Sequence, residues 1–243
     1  MKMKRFILTF AAIAAICAAS AAGADEARHF PAPSTVSPEM AAAVDKKAGE
    51  LWYSEPKSVE EWNKITGGYT EWAAPHAVET AKQLGVTITE EKIAGVTVRT
   101  LTPKTIDEDK KDKIIYYIHG GGYVFGDGVA GTLEGTLMAA NNNYKVVAVD
   151  YRLAPEHPYP AAIDDAFAVY KELVKKYGAE NIAVLGTSTG GAMTLILALQ
   201  AIEGGVPIPA ALISGTPGRD TDTIGDSSVT NAGVDNILGT HDH

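Results

Sequence analysis

The chain has 243 residues, a formal net charge of −9 and an isoelectric point near 5.1. This acidic balance excludes a sequence-independent grip on nucleic acid, which needs clustered Lys and Arg facing the phosphates. The length suffices for one domain with its own core, and a single cysteine, Cys17, excludes a disulfide framework.

The first 24 residues have the composition of a secretory signal peptide. Lys2, Lys4 and Arg5 form a basic start, an apolar stretch runs from Phe6 to about Ala19, and small residues precede Asp25. The apolar stretch is short for a membrane span, although an uncleaved anchor remains the alternative. We therefore expect cleavage after residue 24, a secreted or periplasmic location, and no stable membrane insertion of the mature chain.

Residues 25–88 are predicted to form a helical, cap-like segment. Ser37-Pro38 provides an N-cap followed by proline at the first helical position, and Ser58-Val59-Glu60-Glu61 has capping-box spacing. We expect Gly67-Gly68 to interrupt this segment and a further helix to run from Tyr69 to Leu84, where the following glycine stops it.

After this segment the hydrophobic period changes from helical to strand-like. Ile93 to Leu101 alternates, and continuous apolar runs predict buried strands at Ile114–Ile118, Val146–Val149, Ile182–Leu185 and Ala210–Ile213. Helices are predicted over Ala162–Tyr177 and Gly190–Glu203, the second apolar almost all round and hence buried. Residues 89–243 are therefore predicted to be of the α/β class, with a mostly parallel sheet covered by helices on both faces.

A Gly-x-Ser-x-Gly pattern, Gly186 to Gly190, lies between a predicted buried strand and a predicted buried helix. That context is the one a nucleophile elbow requires, because the serine occupies a strained turn that projects its hydroxyl above the sheet. An ordinary glycine-rich strand-to-helix connection is the competing interpretation. The surrounding elements favour Ser188 as a nucleophile.

A second glycine loop, His119-Gly120-Gly121-Gly122, follows the strand ending at Ile118. Backbone N–H groups without side chains in the way can stabilise negative charge on a reacting carbonyl oxygen, so Gly121, Gly122 and Thr189 are predicted to form an oxyanion hole. A nucleotide-binding loop is excluded because Phe125 stands where its last glycine should be. His119 is interpreted as a support of the loop rather than the general base.

Between the two loops lies a proline-rich segment, Asp150 to Pro160. Its three prolines exclude a helix and predict an extended crossing. Charged residues of both signs stand beside a strand end, so we expect Arg152 to pair with Asp150 or Glu156 and to brace the neighbouring loops.

The His-Gly-Gly-Gly loop, the Asp-Tyr-Arg-Leu-Ala-Pro-Glu-His-Pro run and the Gly-x-Ser-x-Gly-Gly elbow, in this order, resemble the hormone-sensitive-lipase-like family of α/β hydrolases. The resemblance covers roughly Ser37 to Leu238. It implies an α/β-hydrolase fold with an N-terminal helical cap and a carboxylic-ester hydrolase acting on a small-molecule ester, with no metal and no organic cofactor. By that analogy Ser188 is acylated, and the amides of Gly121, Gly122 and Thr189 surround the oxyanion.

The sequence departs from this family in two places. Many members have Gly-Asp-Ser-Ala-Gly at the elbow, whereas Thr187 and Thr189 stand here. Family members also continue with two further strand-and-helix units that supply an Asp or Glu and then a His, so we expect the last strands to be missing and the chain to be truncated and weakly active or inactive. The tail offers candidate partners for the serine but is not expected to supply a working triad or a metal site: Asp220, Asp222, Asp235, His241 and His243.

Two other functions stay open at this stage. The chain is alternatively a non-catalytic protein that binds an acyl ligand, or an amidase or peptidase, because the same serine chemistry attacks amides. Aromatic residues of the cap-like segment either roof an acyl pocket or pack among themselves: Trp52, Tyr53, Trp62, Tyr69 and Trp72.

Overall fold

The computed structural model describes residues 34–44 and 56–218, which belong to two compact units. The first unit contributes one short helix, α1 (Pro38–Val44). The hydroxyl of Ser37 accepts a hydrogen bond from the Met40 N–H at 3.2 Å, which confirms the predicted helix start. The predicted signal peptide, together with Trp52 and Tyr53, lies outside the described residues.

The second unit begins with a long helix, α2 (Val59–Leu84). Ser58 caps it by accepting from the Glu61 N–H at 3.2 Å, and Gly85 ends it in the left-handed conformation at φ 69°, as predicted. The predicted interruption at Gly67-Gly68 is wrong, because the helix continues through both glycines. Each glycine costs only about 0.5–1 kcal/mol in a helix interior, and alanines buried farther along the same helix offset that cost: Ala73, Ala77 and Ala81.

Six strands form one sheet in the spatial order β1-β2-β4-β3-β5-β6. The strands are β1 (Thr87–Ile93), β2 (Val96–Thr102), β3 (Ile114–Ile118), β4 (Lys145–Asp150), β5 (Ile182–Thr187) and β6 (Ala211–Gly215). Strand β2 is antiparallel to β1 and to β4, and the remaining pairs are parallel. The four buried strands were thus predicted within one or two residues of their bounds.

The single strand predicted from Ile93 to Leu101 is wrong, because this stretch is the end of one strand and most of the next. Ala94 and Gly95, both at positive φ, form the tight turn between β1 and β2. The alternation of apolar residues continues across the turn, so it gives no sign that the chain reverses there. Strand β1 begins two residues before the predicted boundary at residue 89.

Helices cover both faces of the sheet. Helices α4 (Ala161–Tyr177) and α5 (Thr189–Glu203) bury their apolar residues with Tyr116 and Ile118 on one face. Helices α2 and α3 (Leu133–Asn142) pack with Tyr117 on the other face. Neighbouring residues of β3 point to opposite faces, and both faces are buried, which is why this strand is apolar throughout. Helix α3 was not among the predicted elements.

The prediction that β6 and α5 are wholly buried is wrong. Leu212 and Ile213 on β6 are 40% and 50% exposed, and Leu199 and Ile202 on α5 are 59% and 65% exposed. Strand β6 has one neighbour, β5, within the described sheet, so its outer side is not covered by the part of the chain that the structure describes.

Candidate active site

Ser188 stands at the sharp turn between β5 and α5. Its backbone has φ 54° and ψ −124°, a conformation that costs an L-residue on the order of 1–3 kcal/mol and persists only where the surroundings hold it. The Ser188 N–H donates to the Gly215 carbonyl at 2.9 Å, and the Ser188 carbonyl accepts from the Ala192 N–H at 3.0 Å. The residue is exposed. This geometry is that of a nucleophile elbow.

The two glycines of the elbow allow the turn to press against the end of β3. A Cβ at Gly190 would collide with the carbonyl oxygens of Ile118 and His119, the latter at 2.6 Å. A Cβ at Gly186 would meet the Ile118 carbonyl oxygen at 2.8 Å and the Gly190 carbonyl. Because glycine has no Cβ, the backbone of the elbow can lie directly against the end of β3. The elbow and the start of the glycine loop are therefore in contact.

The glycine loop turns away from β3 in left-handed conformations, with φ of 116° at Gly121 and 62° at Gly122. The Gly121 carbonyl accepts from the N–H groups of Val124 and Phe125 at 3.0 and 2.8 Å. Within the described residues the N–H groups of Gly121 and Gly122 have no acceptor, and Thr189 begins α5, where first-turn N–H groups lack partners inside the helix. The three predicted oxyanion donors therefore belong to two loops that are in contact.

His119 is buried beneath the glycine loop, with an exposed fraction of 4%. Its Nδ1 lies 2.8 Å from the Gly120 carbonyl oxygen, so this nitrogen carries the proton and donates, while Nε2 is buried without a partner among the described residues. Burial lowers the pKa of the imidazole, against the opposing effects of the Gly120 carbonyl and of Asp150 and Asp127. His119 thus contacts the backbone of the glycine loop, and its role as a loop support stays a prediction.

The expected pairing of Arg152 with Asp150 or Glu156 is wrong. Asp150 instead forms an ion pair with Arg99 of β2, and its other oxygen accepts from the Gly128 N–H at 3.0 Å. Arg152 pairs with Asp165 on α4 through Nε at 2.9 Å and Nη2 at 2.8 Å. Both partners come from distant elements that the sheet and helix packing brings to these strand ends.

The segment that contains these residues is turned rather than extended. The His157 N–H donates to the Leu153 carbonyl at 2.9 Å, and the Ala154 N–H donates to the Tyr123 carbonyl at 2.9 Å. Proline limits the backbone of its neighbours but does not prevent a turn closed by such bonds. Asp150 and Arg152 each bind a partner other than the expected one, Glu156 is exposed, and the bracing role of these residues stays a prediction.

Glu134, in the first turn of α3, is a further polar residue beside the elbow that sequence reasoning missed. Its Oε2 accepts hydrogen bonds from the Thr187 hydroxyl at 2.6 Å and from the Tyr117 hydroxyl at 3.1 Å. Burial, together with the nearby Glu134 charge, raises the pKa of Tyr117. No signal in the sequence indicates this cluster, because it depends on a helix that was not predicted.

A cleft of about 610 Å³ lies between the first half of α2 and the loops beside the site. Its wall includes Val124, next to the glycine loop, and Tyr151, together with Arg152–Ala154, Glu156 and His157. Tyr69 of α2 contacts Phe125 edge to face at 5.2 Å between ring centroids, and it is 39% exposed. Tyr69 also packs against Trp72, at 6.1 Å between ring centroids, and Trp62, Tyr69 and Trp72 are not among the residues that line this cleft.

No described histidine contacts the Ser188 hydroxyl, which has no hydrogen-bond partner within residues 34–44 and 56–218. The tail residues considered for the triad all lie outside the described residues: Asp220, Asp222, Asp235, His241 and His243.

Residues 34–44 and 56–218 contain no group of three His, Cys, Asp or Glu side chains suited to a metal ion. No helix in these ranges is long and apolar enough to cross a membrane.

Comparison with known proteins identifies the fold family. A family model described as alpha/beta hydrolase fold matches residues 115–242. Esterase LipI of Mycobacterium tuberculosis is 42% identical over 123 residues, which are 47% of this chain and 38% of that protein. An acetyl-hydrolase of Streptomyces hygroscopicus is 31% identical over 149 residues, 60% of this chain and 50% of that protein.

Comparison with solved structures gives the same fold. Esterase E25 superimposes with a TM-score of 0.78 at 37% identity, covering 86% of this chain and 65% of that one. Esterase EstE5, in crystals soaked with p-nitrophenyl butyrate, gives a TM-score of 0.66 at 25% identity over 83% of this chain and 65% of that one.

The chain belongs to the α/β-hydrolase fold family, and the solved structures similar to it include an esterase from the bacterial hormone-sensitive lipase family, 27% identical with a TM-score of 0.59. The predicted fold class is confirmed. The chain spans less than two thirds of the length of each of these relatives.

Proposed function

We propose that this chain carries the site of a serine carboxylic-ester hydrolase that works through an acyl-enzyme on Ser188. The observation that carries the proposal is the exposed, strained Ser188 at the carboxyl end of β5, held against a glycine loop whose N–H groups at Gly121 and Gly122 are unpaired within the described residues. Esterases among the relatives support it.

The chemistry follows from these positions. The Ser188 oxygen forms a bond with the ester carbonyl carbon while its proton passes to a general base, and the carbonyl oxygen becomes an oxyanion that the N–H groups of Gly121, Gly122 and Thr189 stabilise. When the tetrahedral intermediate collapses, the C–O bond to the alcohol breaks and the base returns the proton to the departing alcohol. Water then attacks the acyl-enzyme by the same steps and releases the acid.

The test is hydrolysis of short-chain p-nitrophenyl esters by the purified chain and by Ser188→Ala. Loss of a serine nucleophile costs on the order of 10⁶-fold in known enzymes, so we expect turnover to fall to background. Ser58→Ala, which removes only the N-cap of α2, is the matched control and should retain turnover. Turnover that persists in Ser188→Ala would contradict the proposal.

The source of the general base is tested in the same assay. His241→Gln and His243→Gln address the tail, and His119→Gln addresses the buried loop histidine. We expect His119→Gln to alter stability more than turnover, since its Nδ1 is engaged with the Gly120 carbonyl. A loss of turnover in one tail variant, with unchanged melting, would assign the base to that residue.

We further infer that the protein is exported and processed after residue 24. The basic start, the apolar stretch and the small residues before Asp25 support this inference. The test is the N-terminal sequence of the chain recovered from the medium or periplasm. A chain that keeps its first 24 residues, or that stays in the cytoplasm, would contradict it.

A further inference from the structure

The carboxylate of Glu134 joins three elements at the edge of the candidate active site. Glu134 belongs to α3, and its Oε2 accepts from Thr187 on β5 at 2.6 Å and from Tyr117 on β3 at 3.1 Å. The two donors lie 53 and 17 residues away in sequence. One side chain thus connects a helix to the ends of two neighbouring strands, and Thr187 directly precedes Ser188.

Thr187 contacts both halves of the site. Its carbonyl oxygen lies 2.7 Å from the position that a Cβ would take at Gly120, so the start of the glycine loop rests against it. The Ser188 Cβ lies 3.1 Å from that same position. A shift of Thr187 would therefore move the nucleophile relative to the oxyanion-binding loop.

The strained turn at Ser188 is held from both sides. On the α5 side, the Ser188 backbone bonds to Gly215 and to Ala192. On the β5 side, the Thr187 hydroxyl donates a short hydrogen bond to Glu134. Hydrogen bonds that involve an ionised partner are roughly twice as strong as neutral ones, so this bond is suited to fix the last residue before the turn.

We propose that Glu134 is a positioning residue that, through the Thr187 hydroxyl, sets the place of Ser188 relative to the oxyanion-binding N–H groups. The inference rests on the function proposed above. A displacement of about 1 Å at reacting atoms can cost on the order of 10²-fold in rate, so a loosened turn should lower kcat more than it changes KM.

A purely structural role makes a different prediction. Glu134 lies in the first turn of α3, where a negative charge favours the helix dipole. In that case replacement would lower the melting temperature, while kcat measured well below melting would stay unchanged. The Thr187 hydroxyl would then have no influence on turnover.

The experiment compares ester hydrolysis by Glu134→Ala, Thr187→Val and their double variant. We expect each single variant to lower kcat about tenfold or more with KM changed less than about twofold, and the double variant to be no slower than the singles. Thr187→Ser keeps the hydroxyl and should recover most of the rate, whereas Glu134→Gln keeps an acceptor oxygen without the charge and should recover part of it. Glu172→Ala, which removes an exposed carboxylate paired with Lys175, is the control and should match the wild type.

Several outcomes would overturn the inference. These are an unchanged kcat in Glu134→Ala or Thr187→Val below their melting temperatures, effects that multiply in the double variant, or a failure of Thr187→Ser to recover the rate. If Glu134→Ala does not fold, the Thr187 variants and Glu134→Gln decide the question. A wild-type chain without serine-dependent turnover would instead overturn the proposed function and this inference with it, whereas an active wild type with unaffected variants overturns the role of Glu134 alone.

Discussion

The ring of His119 stacks on the ring of Tyr151, with 4.1 Å between the centroids and 10° between the planes. The Tyr151 hydroxyl also donates to the His119 carbonyl at 2.9 Å. Both side chains are buried, at the ends of neighbouring strands β3 and β4. This stacked and hydrogen-bonded pair connects the start of the glycine loop, at His119, to the start of the proline-rich segment, at Tyr151.

Replacement of Tyr151 by Phe should destabilise the protein while keeping the stacked ring. The variant removes one buried hydrogen bond and leaves the His119 carbonyl without this donor, so we expect the free energy of unfolding to fall by about 1–2 kcal/mol. Urea denaturation measures it. Tyr159→Phe, at a residue 85% exposed, is the control, and an equal effect of the two variants would contradict the assigned role of the buried hydroxyl.

The stability of the protein should decrease below neutral pH because of His119. Burial lowers the pKa of His119 from its ordinary 6.5, so as the pH falls below that value the unfolded chain takes up a proton that the folded chain does not. The stabilisation is thus present above pH 6.5 and is lost as the pH falls toward the lower folded pKa. We expect a drop in the free energy of unfolding between about pH 7.5 and about pH 5.5.

The measurement is chemical denaturation of the wild type and of His119→Gln at the two pH values. The variant should lose less stability between them than the wild type does, whatever its stability at neutral pH. His157→Gln, at an exposed histidine, should keep the wild-type dependence. An identical pH dependence in the wild type and in His119→Gln would refute the prediction.

Replacement of Gly190 by Ala should disrupt the elbow. The new methyl group would collide with the carbonyl oxygens of Ile118 and His119, and overpacking of this kind costs about 3 kcal/mol where backbone must move. Gly68→Ala in α2 is the matched control: nothing lies within 4 Å of the added Cβ, so stability should rise by about 0.5–1 kcal/mol. Thermal melting of both variants checks the contrast, and a neutral Gly190→Ala would mean that the elbow can move away from β3.

Patterns within short stretches of sequence predicted much of this fold. Strand β3 is apolar because both of its faces are buried, and α4 shows helical spacing with a glycine stop, so their bounds were found within one residue. Helix α3 was missed because the residues that it buries are small or polar, Gly135, Thr136 and Ala139, so its sequence has no strong apolar periodicity of its own. Its existence depends on packing against α2 and the sheet.

The polar partners of the site were less predictable than its backbone. Arg99 and Asp150 lie 51 residues apart, and Glu134 and Thr187 lie 53 residues apart. Neither pair has a local signal, since each forms only when strands and helices are arranged side by side. The expectation for Arg152 was wrong for the same reason: nearby carboxylates were considered, while α4 supplies Asp165.

The sequence by itself indicated the fold family and the positions of the buried strands along the chain, and it marked Ser188 and its glycine loop as the candidate site, because these depend on residue types at short, regular spacings. Only the tertiary structure decided which charges pair, how the two loops touch and where Glu134 lies. Those contacts join residues far apart in the chain, and hydrophobic burial of the sheet between its helices brings them together.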